Sequence, residues 1–201
     1  MPKKRPTLIL IDGHALAYRT YFALTAMGGD NSRWITKSGE PTAGTYGFAS
    51  VLLKILEQDQ PDYLAVSFDV GRTFRDDLYA EYKAGRAPTP DDLVPQFEVI
   101  GRMVESMGVP VVSIPGFEAD DAIATLARQA EARGSDVFIC TGDKDMRQLI
   151  SDRIKILNLR KDLVLDREGL KTDWGIAPEQ VIDYLSLVGD SVDNVKVVQG
   201  V

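Results

Sequence analysis

Nine acidic residues of this 201-residue chain fall in a pattern that could hold divalent metal ions. Four of them follow short apolar runs at residues 8–11, 63–68 and 137–140, which we interpret as buried strands. In open α/β sheets, ligands bind in the crevice beyond the carboxyl ends of the strands. Acids gathered there raise one another's pKa unless a cation neutralises them. The nine residues are Asp12, Asp69, Glu118, Asp120, Asp121, Asp143, Asp145, Asp190 and Asp193.

The acids of segments 118–121, 141–145 and 189–194 also have ordinary structural explanations. Acids favour the first turn of a helix, which accounts for one or two of the three in segment 118–121. The Gly and Asp residues of 141–145 are typical of a turn with side-chain capping, and 189–194 suits a solvated turn after a helix. Three adjacent acids repel one another, however, so we favour a metal site for the segments taken together.

Magnesium is the ion that this set of ligands favours. Mg²⁺ binds a few carboxylates and keeps several waters, so a surplus of acids suits two ions, with Mn²⁺ as a substitute. Two ions about 4 Å apart can activate a water and stabilise the leaving oxygen of a phosphodiester. One cysteine and one histidine cannot form a zinc ligand set. We interpret Cys140 as a small buried hydrophobe, and His14 as a loop residue with a local hydrogen bond or, alternatively, a substrate contact.

A basic and aromatic stretch spans residues 72–86. Its cations and tyrosines recur at three- and four-residue steps, which on a helix would place them on one face. Cations for phosphates and aromatic planes for bases are what single-stranded nucleic acid requires. The alternative is a solvated helix in which Asp77 and Glu81 form ion pairs, but we favour nucleic-acid binding. The residues concerned are Arg72, Arg75, Tyr79, Tyr82, Lys83 and Arg86.

Strand-like and helix-like segments alternate along the chain, which predicts an α/β fold with a mostly parallel central sheet and helices on both faces. Further strands are expected at 109–114, 154–157 and 163–165, the last two at a sheet edge. Helical periodicity covers residues 15–24, 45–56, 97–107, 119–130 and 178–188. A chain of this length builds one sizeable core with a small appendage.

The net charge of −7 at first argues against a nucleic-acid partner. Apart from the nine clustered acids, however, the chain is slightly basic, so the acidic balance reflects the metal site. No apolar run reaches the roughly 18 residues of a membrane span, and no signal sequence precedes the first strand. We therefore expect a cytoplasmic monomer without a membrane partner.

Five motifs stand in order along the chain. They are Leu-Ile-Asp-Gly-His at 10–14, Tyr-Lys-Ala-Gly-Arg-Ala-Pro-Thr-Pro at 82–90, Gly-Phe-Glu-Ala-Asp-Asp at 116–121, Thr-Gly-Asp-Lys-Asp at 141–145 and Gly-Asp-Ser-Val-Asp-Asn at 189–194. From about residue 7 onward, the chain resembles the 5′-nuclease domain of bacterial DNA polymerase I, in the flap-endonuclease superfamily. The resemblance implies a PIN-like, flap-nuclease fold with a helical arch. It also implies a nuclease domain over 1–178, followed at 179–201 by the truncated start of a helix-hairpin-helix region that binds duplex.

The resemblance implies a two-metal nuclease that hydrolyses DNA near single-strand/duplex junctions, as a 5′-flap endonuclease and 5′–3′ exonuclease of replication and repair. A DNA polymerase domain would accompany it in the parent chain. A 5′ single strand would pass through or under the arch, which residues 74–86 match. Lys83 and Arg86 match residues that contact the scissile phosphate, and Tyr18 matches an aromatic on which a terminal base stacks. The acids implied around one ion are Asp12, Asp69, Glu118, Asp120 and Asp121, and those near the second are Asp143, Asp145, Asp190 and Asp193.

Two residues depart from the family pattern. After Asp-Asn, the family usually has an apolar residue, then Pro-Gly and a Gly-rich hairpin that grips the duplex, often with a potassium ion. Lys196 and Val197 stand where Pro and Gly are expected, and a β-branched residue resists the positive φ that Gly supplies. These departures argue against firm duplex binding and against a potassium ion at this hairpin.

Two other functions stay open beside the nuclease. One is a non-catalytic or impaired DNA-binding module derived from this family; the intact acid set favours the enzyme, and the departures at the hairpin favour the module. The other is an aspartyl-phosphate phosphatase of the haloacid-dehalogenase type, which also begins with Asp after a strand. That class needs a second Asp two residues on, where this chain has His14.

Overall fold

A six-stranded sheet forms the centre of the fold in the computed structural model, which describes residues 4–26, 31–158, 163–198 and 200. The strands are β1 (Thr7–Asp12), β2 (Tyr63–Ser67), β3 (Val111–Val112), β4 (Asp136–Cys140), β5 (Ile154–Asn158) and β6 (Leu163–Leu165). Their order across the sheet is β3-β2-β1-β4-β5-β6. All neighbouring pairs are parallel except β5 and β6, which are antiparallel. The carboxyl ends of β1, β2 and β4 therefore meet at one edge.

Helices cover both faces of the sheet, as predicted. The α-helices of the described residues are α1 (Gly13–Thr25), α2 (Ala43–Lys54), α3 (Phe74–Leu78), α4 (Val94–Ser106), α5 (Ala119–Ala132), α6 (Arg167–Trp174) and α7 (Val181–Val188). Side chains of β1 alternate between the two faces, as a pleated strand requires. Leu10 packs with Ile123 of α5 on one face. Ile11 packs with Phe48 of α2 and Ile100 of α4 on the other. The expected α/β class is confirmed.

Two elements differ from the sequence prediction for physical reasons. The strand expected over 109–114 is only two residues long, and Pro110 directly before it has no N–H to donate to a ladder. Helix α6 was not predicted, because Leu170 is its only buried residue and the apolar periodicity is weak. Its ends are nevertheless well marked. Asp166 accepts the Gly169 N–H at 2.9 Å, and Gly175 closes the helix with φ of 74°.

Cys140, the last residue of β4, is buried, as its apolar run predicts. Burial raises the pKa of its thiol to about 12, so the sulfur stays protonated and unreactive. Among the described residues, no helix combines the length and the apolar character needed to cross a membrane.

Candidate metal centre

An acid-lined cleft of about 890 Å³ lies beyond the carboxyl ends of the strands. It gathers residues from β1, the loop after β2, the start of α5, the turn after β4 and the turn after α7. Seven of the nine predicted acids line it, namely Asp12, Asp69, Glu118, Asp120, Asp143, Asp190 and Asp193. The remaining two, Asp121 and Asp145, line an adjoining hollow of about 200 Å³. The sequence prediction that these acids lie near one edge of the sheet therefore agrees with their positions.

The acids at the ends of β1 and β2 are held by donors from neighbouring elements. Asp12 accepts the Ala15 N–H at 2.9 Å, which caps α1, and the Thr141 hydroxyl at 3.1 Å. Asp69 accepts the Ala119 N–H at 2.6 Å, at the start of α5. These bonds fix the two carboxylates relative to α5, so part of each carboxylate is already oriented before any ligand arrives.

The first turn of α5 carries an acid whose proton affinity is strongly raised. Burial, together with the charges of Asp12, Asp143, Asp69 and Glu118, raises the pKa of Asp120 to about 8. Burial likewise raises the pKa of Asp12 to about 6, with the charge of Asp69 adding to the effect. Carboxylates that destabilise one another in this way are stabilised by a cation placed among them. The chemistry of this group therefore fits a divalent ion.

A second group of acids lies at the turn after α7. Asp145, Asp190 and Asp193 each offer a carboxylate oxygen, and these oxygens all lie within 4.8 Å of one another. Asp143 shapes the same region by accepting the Asp145 N–H at 2.8 Å. Three oxygens at this spacing match the hard ligands that Mg²⁺ and Mn²⁺ prefer.

The turn that presents Asp190 and Asp193 depends on a glycine. Gly189 has φ of 69°, and a Cβ built on it would lie 2.6 Å from the Val195 carbonyl oxygen. The backbones of Asp190 and Val195 exchange hydrogen bonds of 2.8 and 2.7 Å, which close the loop. Only glycine permits this approach, so the two carboxylates are held toward the cleft by local backbone geometry.

The basic stretch is not one continuous helix. Helix α3 ends at Leu78, and residues 80–85 form turns in which Lys83 has φ of 57°. The single helical face expected over residues 72–86 is therefore wrong. The reason is long-range hydrogen bonding, since the Lys83 N–H donates to the Asp193 carbonyl at 3.1 Å and the Asn194 amide donates to the Glu81 carbonyl at 2.9 Å. These contacts replace the hydrogen bonds that would continue the helix.

Within the part of the chain that the structure describes, four cations lie directly against the acids. Arg75 donates two hydrogen bonds to Asp121, of 2.6 and 2.8 Å. The contacts of the other three are Lys83 Nζ to Glu118 at 2.6 Å, Arg86 Nη2 to Asp193 at 2.5 Å and Lys144 Nζ to Asp190 at 2.5 Å. Burial acts to raise the pKa of Asp190, but the bonds from Lys144 and the Val192 N–H bring it below its usual range. The side chains thus supply counterions to both acid groups.

Tyr82 stands between the two acid groups. Its hydroxyl lies 3.1 Å from a Glu118 oxygen and 3.0 Å from an Asp193 oxygen. Burial and these two carboxylates raise the pKa of the phenol far above its usual range, so the hydroxyl stays a donor. Tyr18 lines the cleft from α1, beside Phe97 at 5.7 Å between ring centroids, and its hydroxyl bonds to Thr89.

The remaining two residues predicted to bind DNA face other partners. Arg72 pairs with Asp77 at 3.0 Å, and both side chains are about three-quarters exposed. The Tyr79 hydroxyl bonds to Glu81 at 3.1 Å and to the Asn194 carbonyl at 3.3 Å. Neither Arg72 nor Tyr79 is among the residues that line the cleft.

Sequence reasoning misjudged His14 and did not single out Lys144. His14 belongs to α1, not to a loop, and its Nδ1 accepts the Asp69 N–H at 3.2 Å between the rings of Phe68 and Phe97. Burial lowers the pKa of this imidazole. The sequence around Lys144 does indicate its role, because a cation between the two acids of a Gly-Asp-Lys-Asp turn is well placed to act as their counterion.

Comparison with known proteins identifies the family. The family model of the 5′-3′ exonuclease, N-terminal resolvase-like domain, matches residues 7–175. The chain belongs to this 5′-3′ exonuclease family. It is 48% identical to DNA polymerase I of Chloroflexus aurantiacus over 98% of the chain and 21% of that protein. It is 44% identical to the thermostable DNA polymerase I of Thermus thermophilus over 100% of the chain and 23% of that protein. The chain thus spans about a fifth of these exonuclease-family relatives.

Solved structures share the fold of this exonuclease-family chain. T5 5′-exonuclease with divalent metal ions (zinc) bound superposes with a TM-score of 0.75 at 22% identity, over 97% of this chain and 71% of that one. The catalytic core of Rad2 in complex with a DNA substrate superposes with a TM-score of 0.55 at 17% identity, over 98% of this chain and 57% of that one. At these identities the likeness concerns the fold alone. The phosphatase alternative is set aside, because the family model is that of an exonuclease.

Proposed function

We propose that this chain is a divalent-metal-dependent 5′ nuclease, which hydrolyses phosphodiester bonds of DNA near single-strand/duplex junctions. The observation that carries the proposal is the meeting of two acid groups in the cleft and its adjoining hollow, with three carboxylate oxygens within 4.8 Å in the second group. Membership of the 5′-3′ exonuclease family gives the reaction class. The substrates we expect are DNA with a 5′ flap or a free 5′ end, in replication and repair.

The proposed cofactors are two Mg²⁺ ions, for which Mn²⁺ would substitute. Asp12, Asp69, Glu118 and Asp120 would hold the first ion. The second would be held by Asp143, Asp145, Asp190 and Asp193. When bound, such ions supply an activated water and stabilise the leaving oxygen of the phosphodiester.

The side chains around the acids would bind and orient the strand. Lys83 and Arg86 would contact the scissile phosphate, because their ammonium and guanidinium groups already lie at the cleft and match negative charge. Tyr18 has the position of an aromatic platform on the cleft wall, on which a terminal base would stack. The roles of Arg72 and Tyr79 in DNA binding stay predictions, and they would act outside the cleft.

The partners follow from the relatives. Because these are DNA polymerases I, we place a DNA polymerase domain beside this one in a longer parent chain. The cytoplasmic location, the monomeric state and the domain boundary near residue 178 also stay predictions. Residues 199 and 201 of the expected hairpin region lie outside the described residues. Lys196 extends toward Glu81, with 4.0 Å between the ammonium and a carboxylate oxygen.

A flap-cleavage assay tests the proposal. A 5′-labelled flap duplex is incubated with the chain, with Mg²⁺ and separately with a chelator. We expect cleavage near the junction only with the metal. Cleavage that continues undiminished in the chelator would exclude the metal-dependent reaction.

The alternative is a DNA-binding module with impaired or absent catalysis, which the departures at Lys196 and Val197 favour. The same flap duplex distinguishes the two functions. Retarded mobility of the labelled DNA with no product, at saturating Mg²⁺ and Mn²⁺, would support the module over the enzyme.

A further inference from the structure

Asp121 differs from the acids around it because both of its carboxylate oxygens accept hydrogen bonds from one arginine. Oδ1 accepts a hydrogen bond from Arg75 Nη2 at 2.8 Å, and Oδ2 accepts one from Arg75 Nη1 at 2.6 Å. Oδ2 also accepts the backbone N–H of Glu118 at 3.0 Å. A carboxylate has about four acceptor positions, so three donors leave little capacity for a metal ion. A bidentate arginine pair is moreover strong and geometrically specific.

Arg75 and Asp121 connect two segments that both reach the cleft. Arg75 belongs to α3, which precedes the turns carrying Tyr82 and Lys83. Asp121 belongs to the first turn of α5, beside Glu118 and Asp120. A second link joins the same segments, because the Phe74 N–H donates to the Gly116 carbonyl at 3.0 Å. The start of α3 is therefore fixed to the start of α5 by a backbone bond and by an ion pair.

We propose that Asp121 is a positioning residue and not a metal ligand, and that its bidentate pair with Arg75 forms a strut between α3 and α5. The strut holds Glu118 by accepting its N–H, and it holds the basic segment that follows α3 over the acids. This inference rests on the proposed nuclease function, which it deepens by separating Asp121 from the acids that would bind metal.

Helix geometry supports this separation. Consecutive residues of an α-helix point about 100° apart, so the side chains of Asp120 and Asp121 leave α5 in different directions. Asp120 lines the main cleft, whereas Asp121 and Asp145 line only the smaller hollow; of these two, Asp121 is the one held by two hydrogen bonds from an arginine. If a metal took Asp121, Arg75, whose side chain is 32% exposed, would lose both of its hydrogen bonds to that carboxylate and keep only the longer contact with Glu118, at 3.7 Å. Loss of the hydrogen-bonded partner of a partly buried cation is costly.

Four variants test the strut. They are Asp120→Asn, Asp121→Asn, Arg75→Gln and the Asp121→Asn/Arg75→Gln double variant. Asn at 121 still accepts the Glu118 N–H and so keeps the cap of α5. Binding of Mg²⁺ and Mn²⁺ to the DNA-free chain is measured by calorimetry, and single-turnover cleavage of a 5′ flap is measured at saturating metal. Hydrogen exchange of residues 74–86 reports the attachment of the basic segment.

The proposal predicts that the strut variants lose cleavage rate without losing metal affinity. Asp120→Asn should weaken binding of at least one ion by about tenfold or more. Asp121→Asn should leave metal affinity within about threefold, yet slow cleavage by about ten- to a hundredfold, the range for supporting partners of a metal site. Arg75→Gln should likewise slow cleavage, and the double variant should be no slower than Arg75→Gln alone, because the Arg75–Asp121 pair is already lost in that single variant. All three strut variants should speed exchange in 74–86.

Arg167→Gln is the matched control. Arg167 makes a bidentate pair with Glu179, at 2.7 and 3.0 Å, away from the cleft. Its loss should change neither cleavage nor exchange in residues 74–86. Arg75→Lys keeps the charge and one hydrogen bond, so it should recover part of the rate that Arg75→Gln loses.

Three results would overturn the strut: an Asp121→Asn variant that loses metal affinity as Asp120→Asn does, multiplicative losses in the double variant, or unchanged exchange in 74–86. The metal and exchange measurements need no cleavage. The unmodified chain could fail to cleave DNA while metal affinity falls only in Asp120→Asn and exchange rises in the strut variants. In that case the strut is supported and the nuclease function is refuted.

Discussion

Lys83 Nζ lies 2.6 Å from Glu118 Oε1, so a cation of the basic stretch is a counterion of the acid cluster. Arg86 stands in the same relation to Asp193, at 2.5 Å. A divalent ion entering the cleft must therefore compete with ammonium and guanidinium groups for the carboxylates. Metal binding would free these cations to contact the phosphate. Lys83 and Arg86 would then act first as counterions of the acids and afterwards as ligands of the phosphate, and metal binding would link the two roles.

The first prediction concerns these two cations. Lys83→Ala and Arg86→Ala should tighten Mg²⁺ binding to the DNA-free chain by about two- to tenfold, because each removes a competing charge. Single-turnover cleavage should nevertheless slow by about a hundredfold, since the phosphate loses a cation where negative charge develops. Calorimetry and quenched-flow assays measure the two effects. Weaker metal binding in both variants would contradict the competition.

The second prediction concerns one acid from each side of the cleft. Asp120→Asn and Asp143→Asn should each slow cleavage by about a thousandfold or more, because each removes a charge that would fix a metal. Excess Mn²⁺ should recover part of the rate if the loss arises from metal affinity. The measurement is flap cleavage across a metal titration. Near-normal rates in both variants would place the active site elsewhere.

The third prediction is a pH dependence of stability. Burial, with the neighbouring acids, raises the pKa of Asp120 to about 8 and that of Asp12 to about 6, from 3.8. Between about pH 4 and about pH 8 these two carboxyl groups bind more protons in the folded chain than in the unfolded chain. The free energy of unfolding should therefore fall as pH rises from about 4 to about 8. Millimolar Mg²⁺ should flatten the fall, because the ion compensates the ionised carboxylates.

Urea unfolding in a chelator and in Mg²⁺, at several pH values, measures this dependence. Metal affinity should rise over the same range, by about tenfold per pH unit for each proton displaced. A metal-free chain that is equally stable throughout the range would mean that these acids are solvated.

The fourth prediction concerns the glycine beside Asp12. A Cβ on Gly13 would lie 2.4 Å from the Phe68 ring, which contacts His14. Gly13→Ala should therefore destabilise the fold by about 1–3 kcal/mol through overpacking. Gly101→Ala is the control, because outside the neighbouring backbone of α4 no heavy atom of the described residues lies within 4 Å of its added Cβ. That change should stabilise by about 0.5–1 kcal/mol. Denaturant unfolding compares the two, and equal effects would count against the clash.

The sequence predicted the parts of the site that depend on local pattern and topology. Asp12 and Asp69 follow apolar runs, and parallel strands bring their carboxyl ends to one edge whatever the loops do. The course of residues 79–86 was not predictable in this way. It depends on contacts such as Tyr82 with Asp193 and Asn194 with Glu81, which join residues more than a hundred positions apart. Three- and four-residue spacing carries no information about such partners.

The buried thiol of Cys140 offers a native site at which chemical labelling can measure local opening of the sheet. It is the only cysteine of the chain, and β4, which it ends, lies between β1 and β5 at the middle of the sheet. Cys140 is only 2% exposed, so the rate at which an alkylating reagent labels it reports openings of the structure around it without any introduced probe. The carboxylates of Asp143 and Asp145 follow within five residues of it. Comparing the labelling rate with and without Mg²⁺ would therefore show how far the metal reduces the opening of β4, the strand that leads to these carboxylates.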